Sequence, residues 1–77
     1  MVIDLTQMQQ GEVGTVKEIQ GGHGIVRKLQ SIGLRPGKKI VKVSCHFWRG
    51  PQTIAIDNIQ VAIGFGTAKR IFIEIEK

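Results

Sequence analysis

The chain has 77 residues, of which 42% are hydrophobic and 22% charged, and a formal net charge of +5. This composition excludes a disordered chain, and the single cysteine, Cys45, excludes a disulfide framework and favours a reducing compartment. No run approaches the roughly 20 apolar residues of a membrane span, and the N-terminus lacks the pattern of an export signal. We therefore expect a cytoplasmic protein with one domain over residues 1–77.

The first predicted element is a short turn. Asp4 or Thr6 can cap a single helical turn that runs through Met8 and is ended by Gly11. A strand follows over EVGTVKEI, residues 12–19, whose apolar side chains do not keep a strict period of two. The pattern therefore predicts a bulge at Gly14, and the glycine-rich residues 20–24 predict a loop.

The next stretch predicts a two-turn helix. Ile25, Leu29 and Ile32 lie at i, i+4 and i+7 on one face, whereas Arg27 and Lys28 lie away from it. The helix is expected to end at the following glycine in the left-handed conformation, with the next leucine packing back onto the helix. The sequence RPGK, residues 35–38, then predicts a tight turn that launches a strand.

Residues 38–47 alternate as a strand does. One face carries Val41, Val43, Cys45 and Phe47. The other face carries Ile40, Lys42, Ser44 and His46. We interpret Cys45 as a small buried residue beside Val43, because free cysteines are often buried in this way.

The rest of the chain predicts three more strands. Isoleucine and valine stripes are expected to face inward: Ile54 and Ile56, then Ile59, Val61 and Ile63, then Ile71, Ile73 and Ile75. Residues 64–70 predict a tight connection with one helical turn around Ala68. Five short strands with frequent turns and one small helix favour a strongly bent sheet or small barrel, since closure removes exposed sheet edges.

Seven cations fall in the middle third of the chain: Arg27, Lys28, Arg35, Lys38, Lys39, Lys42 and Arg49. Their simplest interpretation is as the solvated faces of a helix and a strand. The same charge permits attraction to nucleic acid, an anionic membrane or an acidic protein surface.

Metal binding and catalysis both find little support in the sequence. Cys45 and His46 are suitable ligands, but neighbours in a strand point to opposite faces, and the second histidine, His23, lies far away in the chain. Ligation between two chains stays open, but no metal site and no cofactor are predicted. The chain also lacks a Ser-His-acid set, paired carboxylates beside a histidine and a phosphate loop, so we expect no enzyme.

Trp48 and Arg49 suggest a different role. A large aromatic residue beside a turn and next to an arginine has the composition of an interface anchor. The alternative is that Phe47 fills the core and Trp48 covers the rim of a barrel. Both interpretations stay open.

Four segments together resemble the FeoA family, ferrous iron transport protein A: DLTQMQQGEVGTV (4–16), VRKLQSIGLRPGKKI (26–40), GPQTIAI (50–56) and AKRIFIEI (68–75). The same order of motifs resembles the C-terminal domains of DtxR-type metal-dependent repressors. The resemblance implies a mainly β fold, a small SH3-like barrel of about five strands with one or two short helices. One segment, VAIGFGTA (61–68), departs from it, with glycines where the family more often has a leucine-arginine pair.

The resemblance also implies a cytoplasmic accessory protein of bacterial ferrous iron uptake that acts with the membrane GTPase-transporter FeoB. Our hypothesis is that Arg27 and Lys28, together with Trp48 and Arg49, supply the contact to this partner. The alternative is a basic barrel that binds nucleic acid, which we weigh less because most of the four aromatic residues are expected inside. Pairing of an exposed edge strand between two copies leaves the oligomeric state open.

Overall fold

A computed structural model describes residues 1–45 and 50–75. In chain order its elements are β1 (Val2–Asp4), a 3₁₀ leader turn (Leu5–Gln7), β2 (Val13–Ile19), α1 (His23–Ser31), β3 (Lys39–Cys45), β4 (Gln52–Ile56), β5 (Ile59–Ile63), α2 (Phe65–Ala68) and β6 (Ile71–Ile75). The fold is mainly β, as predicted. The described strands number six, one more than the sequence predicted.

The six strands form one antiparallel sheet in the order β1-β6-β2-β3-β4-β5. The additional strand is β1, which pairs with β6 in the register Ile3 to Ile73. Three residues are too few to show an alternation in the sequence, and the partner strand lies at the other end of the chain. Within the described residues β1 and β5 are the two edges of the sheet.

The core lies inside the curve of this sheet. The predicted stripes of β4 and β6 are confirmed, because Ile54, Ile56, Ile71, Ile73 and Ile75 are all buried. The stripe of β5 is confirmed at one end alone. Ile63 is buried, Val61 is half-buried, and Ile59 at the hairpin end is 52% exposed.

The predicted caps and turns of the first half are confirmed. Asp4 caps the leader turn and forms a capping box with Gln7, so the two residues satisfy backbone N–H groups reciprocally. At the end of α1, Gly33 has φ +93° and donates to the Gln30 carbonyl, while the Leu34 N–H donates to the Leu29 carbonyl. This pair of bonds is a Schellman motif.

The tight turn after α1 is also confirmed. Gly37 has φ +92°, and the Lys38 N–H donates to the Arg35 carbonyl over 3.1 Å. The start of α1 differs from the prediction by two residues, because His23 and Gly24 belong to its first turn and not to a loop.

The predicted bulge at Gly14 is wrong. The register between β2 and β6 shifts between Val16 and Glu18, which places the bulge at Lys17. Gly14 is instead a position of close approach between strands. A Cβ added there would clash with the Ile73 side chain and would lie 2.9 Å from Ile75 Cδ1.

The prediction that all seven central cations are solvated is wrong for Lys42. Its side chain is 1% exposed, and its ammonium donates to the Leu5 carbonyl over 2.7 Å and to the Met8 carbonyl over 3.2 Å. Ile40 is buried on the same face, whereas Val41 is 37% exposed. The inward face of β3 is therefore the one that carries Ile40 and Lys42, and a register shift after Lys42 ends the simple alternation.

We expect Gly14→Ala to lower the free energy of unfolding by about 1–3 kcal/mol, because an added methyl group in a tightly packed core forces neighbouring side chains or the backbone to shift. Urea denaturation measures this change. The matched control is Gly24→Ala, where an added Cβ meets nothing within 4 Å in an exposed helical turn. That variant should be unchanged or up to about 1 kcal/mol more stable. Equal stability of both variants would contradict the close approach.

We expect Lys42→Met to lower the free energy of unfolding by about 2 kcal/mol or more. Methionine preserves much of the side-chain volume but leaves two buried carbonyls without the ammonium donor, at about 1–3 kcal/mol each. The control is Lys39→Met at an exposed position of the same strand, which should change stability by less than about 0.5 kcal/mol. A Lys42→Met variant as stable as its control would show that the buried ammonium contributes nothing.

Candidate functional site

The residues predicted to bind a partner are only in part described by the structure. Arg27 and Lys28 are exposed on α1, as expected. Trp48 and Arg49 lie outside the described residues, and so do Phe47 and His46, together with the Cys45 side chain. The structure therefore places the helical half of the predicted surface and leaves the aromatic half as a prediction.

Lys28 lies at the edge of an apolar groove of about 310 Å³. The groove runs between α1, β5 and the start of α2. Its lining residues are Ile25, Lys28, Leu29, Ile32, Val61, Ala62, Ile63, Gly64 and Thr67. We call this surface the α1–β5 groove.

The helix wall of the groove is the amphipathic face that the sequence predicted. Ile25 and Ile32 are half-buried and Leu29 is buried, so the apolar stripe of α1 is covered in the middle and open towards its ends. Periodicity predicts such a stripe but not the gap beside it. The gap depends on the strand that lies opposite, and that strand is set by long-range pairing.

Gly64 lies in the other wall of the groove and faces open space. Gly64 caps the start of α2, and a Cβ at this position would meet nothing within 4 Å. This glycine belongs to the segment in which the sequence departs from the FeoA resemblance. The segment that differs from the FeoA pattern therefore forms part of the groove.

The charge at the groove is positive. Lys28 is the one charged residue among those that line it, and Arg27 is exposed next to it on the helix. Lys69, which follows α2, has its ammonium 5.7 Å from the centre of the Phe65 ring, within the range of a cation–π contact. An acidic ligand would meet no opposing carboxylate among the lining residues.

A second depression, of about 280 Å³, lies on the other part of the sheet, between the start of β2 and the end of β6. Glu74 lies at its edge and forms a 2.6 Å ion pair with the N-terminal ammonium of Met1. The hydrogen bond from this ammonium lowers the pKa of the Glu74 carboxyl below its ordinary value of 4.5. Desolvation opposes the shift, and the charges of the N-terminus and Lys17 add to it.

The described residues include no group of three or more His, Cys, Asp or Glu side chains arranged to hold a metal ion. The prediction that Cys45 and His46 do not form a site stays a prediction, because His46 is not described. No helix in the described part of the chain is both long and apolar enough to cross a membrane.

Comparison with protein families gives a match to the FeoA domain over residues 3–75, nearly the whole chain. A candidate Fe(2+) transport protein A from Methanocaldococcus jannaschii is 33% identical over 66 residues, which are 86% of this chain and 78% of that protein.

Solved structures agree in fold. The crystal structure of an iron uptake regulatory protein, FeoA, superposes with a TM-score of 0.89 at 39% identity and covers 96% of this chain and 97% of that one. A manganese-dependent transcriptional repressor matches with a TM-score of 0.88 at 24% identity, over 97% of this chain and 42% of the repressor chain. The second likeness shows the fold alone. Together these structures confirm the predicted SH3-like fold and both of the predicted resemblances.

We expect the ion pair between Glu74 and the N-terminus to stabilise the fold at neutral pH and not in acid. Because the folded-state pKa of Glu74 is lowered, the stabilisation is present above the unfolded pKa and is lost as the pH falls through the folded-state value. Chemical denaturation should therefore show Glu74→Gln less stable than the unchanged chain at pH 7. The two chains should become equally stable once the Glu74 carboxyl is protonated in both the folded and the unfolded state.

The control for this prediction is the N-acetylated chain, which lacks the ammonium. In that background Glu74→Gln should lose most of its effect at pH 7. A difference between the unchanged chain and the Glu74→Gln variant that does not depend on pH would contradict an electrostatic origin.

Proposed function

Because the chain belongs to the FeoA family, we propose that it is an accessory protein of ferrous iron uptake that binds the membrane GTPase-transporter FeoB and regulates it. The family match and the relative described for Fe(2+) transport support a role in ferrous iron transport. The observation that carries the finer proposal is the exposed Lys28 at the edge of an apolar groove, with Arg27 exposed as the preceding residue of α1. This combination favours binding a protein surface over catalysis.

In this proposal α1 supplies the charged part of the contact and the groove supplies the apolar part. Arg27 and Lys28 are consecutive exposed residues of α1 that project about 100° apart around the helix axis. An acidic surface that borders the helix on the Lys28 side and extends over it can contact both. Trp48 and Arg49 are proposed to extend the same surface. Large aromatic and arginine residues often dominate binding energy at interfaces.

The net positive charge affects the rate at which the protein meets its partner as well as the contact that they form. A formal charge of +5 attracts the protein to acidic surfaces and raises the association rate. The cytoplasmic leaflet of a bacterial membrane is anionic, so the same charge concentrates the protein near a membrane-bound partner. We accordingly propose that it works in the cytoplasm, at the inner face of the membrane through FeoB.

Nucleic-acid binding is the competing proposal, and the described surface does not favour it. The large hydrophobic side chains exposed among the described residues are Met1, Val2, Val13, Val41 and Ile59, none of them aromatic, and Phe65 and Phe72 are half-buried. Single-stranded nucleic acids need exposed aromatic rings for stacking. A shift assay with a generic oligonucleotide should show no tight binding at physiological salt, where phosphate contacts are strongly screened.

We expect the double variant Arg27→Glu/Lys28→Glu to weaken the capture of detergent-solubilised FeoB by at least tenfold, because like charges at a contact repel. The matched control is Arg35→Glu/Lys39→Glu, which has the same net charge but alters two exposed positions outside α1 and the groove. Titration of tagged protein against FeoB at two salt concentrations measures both affinities. The control should bind within about threefold of the unchanged chain.

The aromatic half of the surface is tested separately with Trp48→Ala. Loss of binding in this variant, with an unchanged thermal melt, would support Trp48 as an anchor. If binding survives both the charge reversal on α1 and Trp48→Ala, the proposed surface is wrong. Equal weakening of the two double variants would mean that net charge acts without a specific site.

A further inference from the structure

The edge strand β5 has five residues, carries no charge and is mostly exposed. Its sequence, IQVAI, contains no charged residue and no proline, which are the usual devices that keep a sheet edge from pairing with another chain. In the described part of the chain β5 pairs with β4 alone. Ile59 is 52% exposed, and Gln60 and Ala62 are exposed.

The register of the β4–β5 hairpin shows which backbone groups are open. The two strands join through a two-residue turn, Asp57–Asn58, with Ile56 opposite Ile59. In a two-residue hairpin this closing pair exchanges both hydrogen bonds, and bonded pairs then recur at every second residue. Ile59, Val61 and Ile63 therefore bond to β4, while the N–H and C=O groups of Gln60 and Ala62 face the open edge.

The other edge of the sheet is different. β1 has three residues, Val2–Asp4, and is bounded by the Met1–Glu74 ion pair on one side and by the cap of the leader turn on the other. A short edge with charges close by is protected against pairing. Because β1 is protected against strand pairing and β5 is not, β5 is the edge available to another strand.

The open edge borders the α1–β5 groove. Ala62 lines the groove and also carries one of the two outward-facing N–H groups. A strand added beside β5 would therefore place alternate side chains over the apolar wall formed by Ile25 and Ile32 of α1. Lys28 lies on the same wall and would meet a carboxylate of that strand.

We propose that β5 and the α1–β5 groove bind an extended, acidic segment of the partner by strand addition, and this inference rests on the proposed function. Backbone bonds at Gln60 and Ala62 would hold the segment, its apolar side chains would enter the groove, and its carboxylate would pair with Lys28. A second copy of this chain is a poorer occupant, because it carries the same charge of +5 and brings its own β5 without an acidic residue.

Backbone amide exchange tests the proposal on the unchanged chain. Hydrogen–deuterium exchange is measured with and without saturating detergent-solubilised FeoB. We expect the amides of Gln60 and Ala62 to exchange at least tenfold more slowly in the complex. The amides of Val61 and Ile63 already bond to β4 and should change much less.

The matched variants are Ala62→Pro and Ala62→Ser. Proline removes the outward-facing N–H and places its ring on the open edge without breaking the bonds to β4, whereas serine keeps the N–H. Capture of FeoB should be at least tenfold weaker with Ala62→Pro than with Ala62→Ser, at equal melting temperatures. If Ala62→Pro does not fold, the exchange measurement decides alone.

The outcomes separate this inference from the proposed function. If the charge reversal on α1 weakens binding while the Gln60 and Ala62 amides stay unprotected, strand addition is wrong and the proposed function stands. If the unchanged chain does not bind FeoB, both fall. If the two amides become protected with rising protein concentration in the absence of FeoB, and sedimentation shows a dimer, the occupant is a second copy and the acidic segment is wrong.

Discussion

The fold depends on a buried ammonium group. Burying a charge is costly unless hydrogen bonds replace water, and here the Lys42 side chain donates to carbonyls at Leu5 and Met8. Its backbone adds two more bonds, to Gly11 and Glu12. Lys42 thus ties residues 5–12 to β3, and Leu5 and Met8 of this segment are buried in the core. The leader turn packs against α2, so this constraint extends to one wall of the α1–β5 groove.

Features specified by neighbouring residues could be predicted from the sequence. The Schellman motif at Gly33 needs one glycine after an amphipathic helix. The next turn needs a proline, Pro36, whose ring fixes φ, followed by a glycine, Gly37, that can adopt a positive φ. The buried isoleucines of β4 and β6 could be predicted from the alternation of side chains between the two faces of a strand alone. The exposure of Arg27 followed in the same way from its position opposite the apolar face of α1, whereas Lys28 is exposed beside that face and lines the groove.

Features specified by distant residues could not be predicted in this way. Val41 and Val43 make the wrong face of β3 look apolar, and the burial of Lys42 is decided by the leader turn more than thirty residues away. Gly14 resembles a bulge because the sequence does not show which strand lies beside it. The groove was missed for a related reason, since its walls come from three elements that meet only after the sheet has its register.

An incompletely closed sheet of this size has two edges, and their difference connects fold to function. The edge at β1 lies at the start of the chain. Among the described strands, the edge at β5 pairs on one side alone and borders apolar surface and Lys28. Charge and edge act at different stages of association: electrostatic attraction raises the rate of encounter, whereas backbone bonds and desolvated contacts slow dissociation. A partner that is only acidic would bind quickly and leave quickly. In the proposed mode of binding, an extended backbone paired with the β5 edge retains the partner, so the edge supplies specificity and the charge supplies speed.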